Sequence, residues 1–400
     1  MIIQPKIRGF ICTTAHPIGC RENVNQQIAY VKSQKTFVGP KNVLVIGAST
    51  GYGLASRIVS AFGANAKTIG VFYEREADDK KTATPGWYNS AAFEAFAQTQ
   101  GLYAKSVNGD AFSQEIKIQV ADLIRQDMGQ VDLIIYSLAS PRRTHPITKQ
   151  VFSSTLKPIG QSFMGKTVDA FRGDVKDVVI EPATPDEIEN TIAVMGGEDW
   201  AMWIDYLMNE KLLSSGIKTV AYSYLGPELT HAIYKEGTIG RAKEHLKMTA
   251  DHLTQKLKPL EGEAIVSVDK AVVTQASAAI PVVPLYISIL FKVMKEKRLH
   301  EGCIEQIYRL FTQHLYTKDS TERDAEGYIR LDDLEMREDV QAAVQQIWPT
   351  ITTENLAERS DIAGYRDEFY RLFGFNIEGV DYNQDVSQFM NLPSLEESNQ

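Results

Sequence analysis

The stretch "NVLVIGASTGYGLASRIVSAFG", Asn42 to Gly63, decides the fold. "NVLVIG" is an unbroken apolar run of strand length, the pattern of a strand buried on both faces of a parallel sheet. "GASTGYG", Gly47 to Gly53, follows it and opens a helical segment, which is the setting a phosphate-cradling turn requires. Glycine permits a sharp turn and a close backbone approach. The helix N-terminus adds amide donors and partial positive charge for a pyrophosphate. The spacing G-x-x-x-G-x-G departs from the G-x-G-x-x-G dinucleotide fingerprint, so on its own it leaves an ordinary glycine turn open.

The chain on either side repeats the rhythm of strand and crossover helix. "KTIGVFYE" (67–74) predicts a second strand and "LYAKSVNGDAF" a third ending near Gly109 and Asp110, while "VDLIIYSLAS" (131–140), "IKTVAYSYLG" (217–226) and "AIVSVDKAVVT" (264–274) predict three more. Helices are expected around "YNSAAFEAFAQTQG" and "SQEIKIQVADLIRQDMG". The fold class is therefore α/β, a Rossmann-type doubly wound parallel sheet with N-terminal, central and C-terminal additions. We expect one Rossmann-like domain over residues 1–400, with an extension at 1–40, an insertion at 141–216 and a substrate-pocket and C-terminal helical part at 275–400.

Glu74 strengthens the nucleotide reading. A carboxylate at the end of the second strand would accept hydrogen bonds from both adenosine ribose hydroxyls and repel a 2′-phosphate, which favours NADH, although Arg75 next to it keeps NADPH open. The expected cofactor contacts are Gly47, Ala48, Ser49, Thr50, Gly51 and Tyr52 on the turn, Tyr73 and Glu74 after the second strand, Asp110 and Ala111 near the adenine, and Leu138 and Ala139 near the ribose.

Composition narrows the alternatives. With 44% hydrophobic and 23% charged residues the chain has a globular balance, and its net charge of −9 argues against nonspecific nucleic-acid binding. Cys12, Cys20 and Cys303 form no CxxC pair, and Lys6 and Arg8 interrupt the first apolar residues, so a reducing cytoplasm is expected. The uncharged window Ala271–Phe291 carries Pro281 and Pro284. It reads as a buried strand, a loop and an apolar helix rather than a membrane span. The seven histidines form no ligand-like cluster, and no metal is expected.

The remaining chemistry lies in "YKEGTIGRAK", Tyr234 to Lys243. Nine steps of about 100° would send the two side chains to opposite faces of one helix. They converge only if Tyr234 sits on a turn and a helix capped by Thr238 begins near Ile239.

With the glycine turn, this Tyr-x8-Lys pair resembles the short-chain dehydrogenase/reductase superfamily, and within it the FabV-type enoyl-acyl-carrier-protein reductases and the related trans-2-enoyl-CoA reductases. "TAHPIGC" (14–20), "TPGWYN" (84–89), "YSLASP" (136–141), "VMGGEDW" (194–200), "YSYLGPE" (222–228) and "GTIGRAKEHL" (237–246) carry the resemblance over nearly the whole chain. It implies that NADH gives hydride to the β-carbon of a 2-enoyl thioester on acyl carrier protein or CoA. Tyr234 would be the proton donor and enolate stabiliser. Lys243 would hold the nicotinamide ribose and lower the Tyr234 pKa, and Tyr224 would be a second substrate contact. Val272, Val273 and Thr274 would face the carboxamide, with Ala278–Leu290 lining the acyl pocket.

A CoA-specific reductase shares all these residues, and a catalytically inactive nucleotide sensor or a ketoacyl oxidoreductase are the more distant alternatives. The long terminal additions favour a monomer. Arg142 and Arg143, or Lys292, Lys295, Lys297 and Arg298, are the candidate cationic surfaces for an acidic carrier protein.

Overall fold

In the computed structural model, which describes residues 1–9, 11–317 and 321–397, Asn42–Ile46 is the first strand (β1) of a seven-stranded parallel sheet. The others are β2 (Lys67–Phe72), β3 (Ala104–Asn108), β4 (Val131–Tyr136), β5 (Leu213–Ser223), β6 (Glu263–Val268) and β7 (Ile329–Arg330). Their spatial order is β7-β6-β5-β4-β1-β2-β3. The chain reverses direction across the sheet between β1 and β4, which opens a crevice at the strand C-termini, where such folds bind ligands.

Alternation of side chains explains why β1 is apolar from Val43 to Ile46. Val43 and Val45 enter one core together with the helices Gly51–Ile58, Pro85–Thr99 and Val283–Glu296. Leu44 and Ile46 enter the other, with Gln114–Asp127, Glu198–Asn209 and Thr238–Leu257. Both faces are covered, so no strand position can be polar without a partner.

The N-terminal residues contribute the helix Pro17–Ser33, whose Val24, Ile28 and Val31 join the first core. Between β4 and β5 lie two antiparallel hairpins, pairing Arg142–Thr144 with Val151–Ser153 and Phe163–Val168 with Val175–Ile180, followed by the helices Pro185–Met195 and Glu198–Asn209. No helix among the described residues is long and apolar enough to cross a membrane.

Three expectations need correction. The sixth strand ends at Val268 rather than reaching Thr274, because residues 269–273 carry no ladder pairing and Thr274 caps a short helix, Gln275–Ala278. The seventh strand was not expected, since two residues are too few to show a period. Thr238 does not cap its helix. Gly237 is the N-cap, and the buried Thr238 hydroxyl donates to Thr155 O at 2.6 Å and accepts from Lys157 N at 3.2 Å, fastening the helix to the segment between β4 and β5.

Candidate active site

The turn after β1 is built by close approach. A Cβ on Gly47 would lie 2.2 Å from Ser137 O, and Gly47 itself has φ +86°. A Cβ on Gly53 would lie 1.9 Å from Gly47 O. Only hydrogen fits at either position, so the helix starting at Gly51 is drawn down onto the end of β1, where a helix N-terminus offers amide donors to an anion. Ala48 is buried, and Thr50 is the helix N-cap without a side-chain cap bond.

The other predicted contacts also follow strand C-termini. Glu74 lies two residues beyond β2, and its Oε1 accepts from Ser49 Oγ at 2.7 Å, which ties it to the glycine turn. Burial raises its pKa, opposed by the Thr84 and Ser49 hydrogen bonds. The Tyr73 side chain is 80% exposed. After β3, Asp110 Oδ1 accepts from Phe112 N at 3.0 Å, and Ala111 O accepts from Lys117 Nζ at 3.0 Å and Trp203 Nε1 at 3.1 Å. Leu138 and Ala139 follow β4, half-buried and exposed respectively. Tyr52 turns inward, its hydroxyl donating to Lys270 O at 2.7 Å.

Tyr234 lies on a turn, its amide donating to Thr230 O at 2.9 Å, and Lys243 lies in the following helix. The Tyr234 ring packs edge-on against Tyr224, with centroids 5.0 Å apart and planes at 76°. Lys243 Nζ donates to Tyr222 O at 3.2 Å, at the end of β5. The fold thus brings Tyr224, Tyr234 and Lys243 to one strand end. The expected depression of the Tyr234 pKa is not found: burial pushes the phenol up to about 12. Burial pulls Lys243 down to about 8, against the opposing field of Asp269.

Beyond β6, Val272 and Val273 are buried, and Thr274 Oγ1 accepts from Ser277 N at 3.0 Å while Ser277 Oγ donates to Val272 O at 3.0 Å. Leu285, Ile287 and Leu290 are fully buried in the first core, so the body of the apolar helix is packing.

Sequence reasoning missed the buried charges around this cluster. Glu335, fully buried, accepts from Tyr224 Oη at 3.0 Å, Tyr286 Oη at 2.6 Å and Ala271 N at 2.7 Å. Asp269, also buried, accepts from Ser267 Oγ at 2.7 Å, and its amide donates to Ser223 O at 2.9 Å. Lys270 Nζ donates to Ala271 O at 2.7 Å. The one available signal was an acid and a lysine inside the apolar run "VSVDKAVV". No metal-holding group occurs among the described residues.

A glycine-cradled turn at the switch point of a doubly wound sheet, with a tyrosine and a lysine converging beside it, defines a nicotinamide-dependent oxidoreductase. Residues 81–316 match the family model described as the trans-2-enoyl-CoA reductase catalytic region, and residues 2–79 match the NAD(P)H binding domain of the same enzyme. The chain belongs to the trans-2-enoyl-CoA reductase family.

It is 62% identical over 395 residues to an enoyl-[acyl-carrier-protein] reductase [NADH] of Flavobacterium johnsoniae, covering 99% of this chain and 100% of that one. It is 58% identical to a trans-2-enoyl-CoA reductase [NADH] of Ruminiclostridium cellulolyticum, with the same coverage. The crystal structure of Clostridium acetobutulicum trans-2-enoyl-CoA reductase in complex with NADH superposes with a TM-score of 0.95 at 47% identity, over 97% of this chain and 98% of that one.

A third match, residues 323–386, carries the description enoyl reductase FAD binding domain. The residues there do not fit a flavin dinucleotide. The only strand is the two-residue β7, and it leads not into a glycine turn and helix but into a segment with the buried carboxylates Asp332 and Glu335, which would repel a pyrophosphate. Gly364 is closed off by the Asp361 carboxylate, and Gly374 packs on Cys20 N.

Proposed function

We propose that the protein reduces the 2,3 double bond of trans-2-enoyl thioesters with NADH, on acyl carrier protein in the first instance, with the CoA ester as the rival carrier. The observation that carries this is the meeting of Tyr224, Tyr234 and Lys243 beyond β5. Bound on the turn of Gly47, Ala48, Ser49, Thr50, Gly51 and Tyr52, NADH supplies the hydride. Glu74 holds the adenosine ribose, Asp110, Ala111, Leu138 and Ala139 flank the nucleoside, and Val272, Val273 and Thr274 hold the carboxamide end.

As the substrate's β-carbon is reduced, negative charge grows on the thioester oxygen. The Tyr234 hydroxyl is positioned to donate to it. A phenol held near 12 is neutral at physiological pH, so it meets that charge as a donor and passes its proton on. Lys243 anchors the ribose hydroxyls.

Incubation of the pure protein with NADH and a crotonyl thioester should consume NADH, and a ketoacyl thioester should not. The reverse result would overturn the assignment. Side-by-side turnover on acyl-carrier-protein and CoA esters decides the carrier. The cationic clusters give a carrier protein little to grip: Arg143 is buried and bound to Glu198 at 2.6 Å, and Lys292, Lys295 and Lys297 pair with Glu296, Asp361 and Asp339 at 2.9, 2.6 and 2.8 Å. Only Arg142 and Arg298 of the two clusters have no acidic partner among the described residues. Three unpaired thiols accord with a reducing, cytoplasmic setting.

Two further outcomes are expected. Glu74→Ala should narrow the preference for NADH over NADPH about tenfold in the ratio of kcat/KM values, by removing repulsion of a 2′-phosphate. An unchanged ratio would mean that Glu74 is not the selector.

The second concerns pH. Lys243 binds cofactor as a cation, and in the free enzyme its proton is held only up to about 8. NADH affinity should therefore be full at lower pH and fall as pH rises through that value, whereas Lys243→Arg, which stays charged, should bind with a flat profile to about pH 9. Fluorescence titration of NADH across this range checks it. Parallel profiles for the two proteins would remove the charge from Lys243's role.

A further inference from the structure

Glu335 lies 111 residues from Tyr224 in sequence, yet its carboxylate accepts the hydrogen bond of the Tyr224 hydroxyl. Oε2 faces the Ala271 amide at 2.7 Å. A backbone N–H can only donate, so this oxygen must accept. Oε1 faces two phenols, Tyr224 at 3.0 Å and Tyr286 at 2.6 Å. The Tyr286 hydroxyl in turn accepts from Gln341 Nε2 at 3.2 Å, and the same amide donates to Glu335 O at 2.7 Å. No part of Glu335 is exposed, and the ammonium of Lys270, itself buried, opposes the cost of that burial.

We propose that Glu335 is a positioning residue for the reduction: it takes the Tyr224 hydroxyl proton away from the substrate side and locks the Tyr224 ring against Tyr234, while fixing the amide at the head of the Ala271–Thr274 segment. The inference rests on the proposed role of Tyr224 as a substrate contact. One carboxylate thereby registers the substrate tyrosine against the segment assigned to the nicotinamide end. With its proton committed, Tyr224 presents lone pairs to the cleft. The free donor there is Tyr234, whose hydroxyl has no hydrogen-bond partner among the described residues.

Glu335→Gln is a sharp test, because an amide cannot reproduce this pattern. With its NH2 toward Ala271, two donors oppose each other. Turned the other way, its NH2 faces the phenols, which must then accept and release their protons elsewhere. The first arrangement leaves Tyr224 in place but opposes the Ala271 amide, whereas the second keeps the Ala271 bond and redirects Tyr224, and the second is the one the cycle below reads.

The experiment is a double-mutant cycle of Glu335→Gln and Tyr224→Phe on the full chain, reading kcat with a crotonyl thioester, NADH affinity by fluorescence, and the melting temperature. Glu335→Gln should lower kcat at least about tenfold with NADH affinity within about twofold, and in the Tyr224→Phe background the same substitution should change kcat less than about twofold. Equal losses in both backgrounds would overturn the proposal, since the effect would then not pass through Tyr224. If Tyr224→Phe alone turns over like the parent, the substrate role of Tyr224 falls and the inference with it, while an intact NADH-dependent enoyl reduction would leave the assigned activity standing. Should Glu335→Gln not fold, Tyr286→Phe replaces it in the cycle: the carboxylate stays but loses its second phenol. A smaller fall in kcat that likewise disappears with Tyr224→Phe supports the proposal, and an additive fall or none overturns it.

Discussion

Tyr234→Phe is expected to lower kcat by about two to three orders of magnitude while leaving NADH affinity within about twofold of the parent. The ring is held by an edge-on contact with Tyr224 at 5.0 Å, a contact phenylalanine makes equally well, so the turn from Thr230 to Gly237 should keep its shape. What is lost is one hydroxyl with no hydrogen-bond partner among the described residues. Removing it leaves no buried group orphaned, and the folded state should not weaken appreciably. The cost falls on the transition state alone. The charge growing on the thioester oxygen loses its donor, and preplaced donors of this kind are worth about 3–4 kcal/mol. Burial holds the phenol near 12, so the parent enzyme keeps this donor protonated across the working pH range. Single-turnover kinetics with a crotonyl thioester, together with fluorescence titration of NADH, separate the two quantities. Turnover near that of the parent would remove Tyr234 from the chemistry. A loss of NADH affinity as large as the loss in rate would show instead that the turn had collapsed.

How far the sequence could be read follows from the range of each interaction. The strands β1 and β4 and the turn Gly47–Gly53 are legible because local pattern determines them: apolar residues must cover both faces of a buried strand, and glycines must sit where backbone meets backbone. The two-residue β7 has no period to read and exists only because Ser267 and Val268 offer an open edge. Thr238 has a capping residue's chemistry, but the Thr155–Lys157 loop of the insertion reaches its hydroxyl first, an arrangement that local sequence does not encode. Glu335 was illegible for a sharper reason. In "LDDLEMRED" (331–339) it stands among five other acids and bases, the composition of a solvated face, and only the packing of that segment under Ala271 and Tyr286 buries it. The depressed tyrosine pKa failed for a related cause. Proximity of Lys243 was inferred, but its ammonium is turned to Tyr222 O, and desolvation of the phenol prevails.

Gly53→Ala is expected to weaken NADH binding by about a hundredfold or more, although helix propensity alone argues the other way. Gly53 is the third residue of the helix Gly51–Ile58, and alanine in a helix interior is favoured over glycine by about 1 kcal/mol. Against that stands a Cβ placed 1.9 Å from Gly47 O. The oxygen belongs to backbone, so no side chain can swing aside. The helix must retreat by about 1 Å to reach even the shortest tolerable carbon contact, carrying the amides of its first turn away from the pyrophosphate they would hold. Several hydrogen bonds to a charged group are then lengthened together, each worth about 1.5–3 kcal/mol, which exceeds the gain in propensity. Gly51 provides the contrast. It has φ +53° with nothing within 4 Å of an added Cβ, so Gly51→Ala incurs only the backbone strain, about 1–2 kcal/mol, and should weaken NADH by no more than about tenfold. Calorimetric titration of NADH into both variants tests the ordering. If Gly53→Ala binds as the parent does, or Gly51→Ala is the worse of the two, the close approach of helix to strand is not what shapes the phosphate turn.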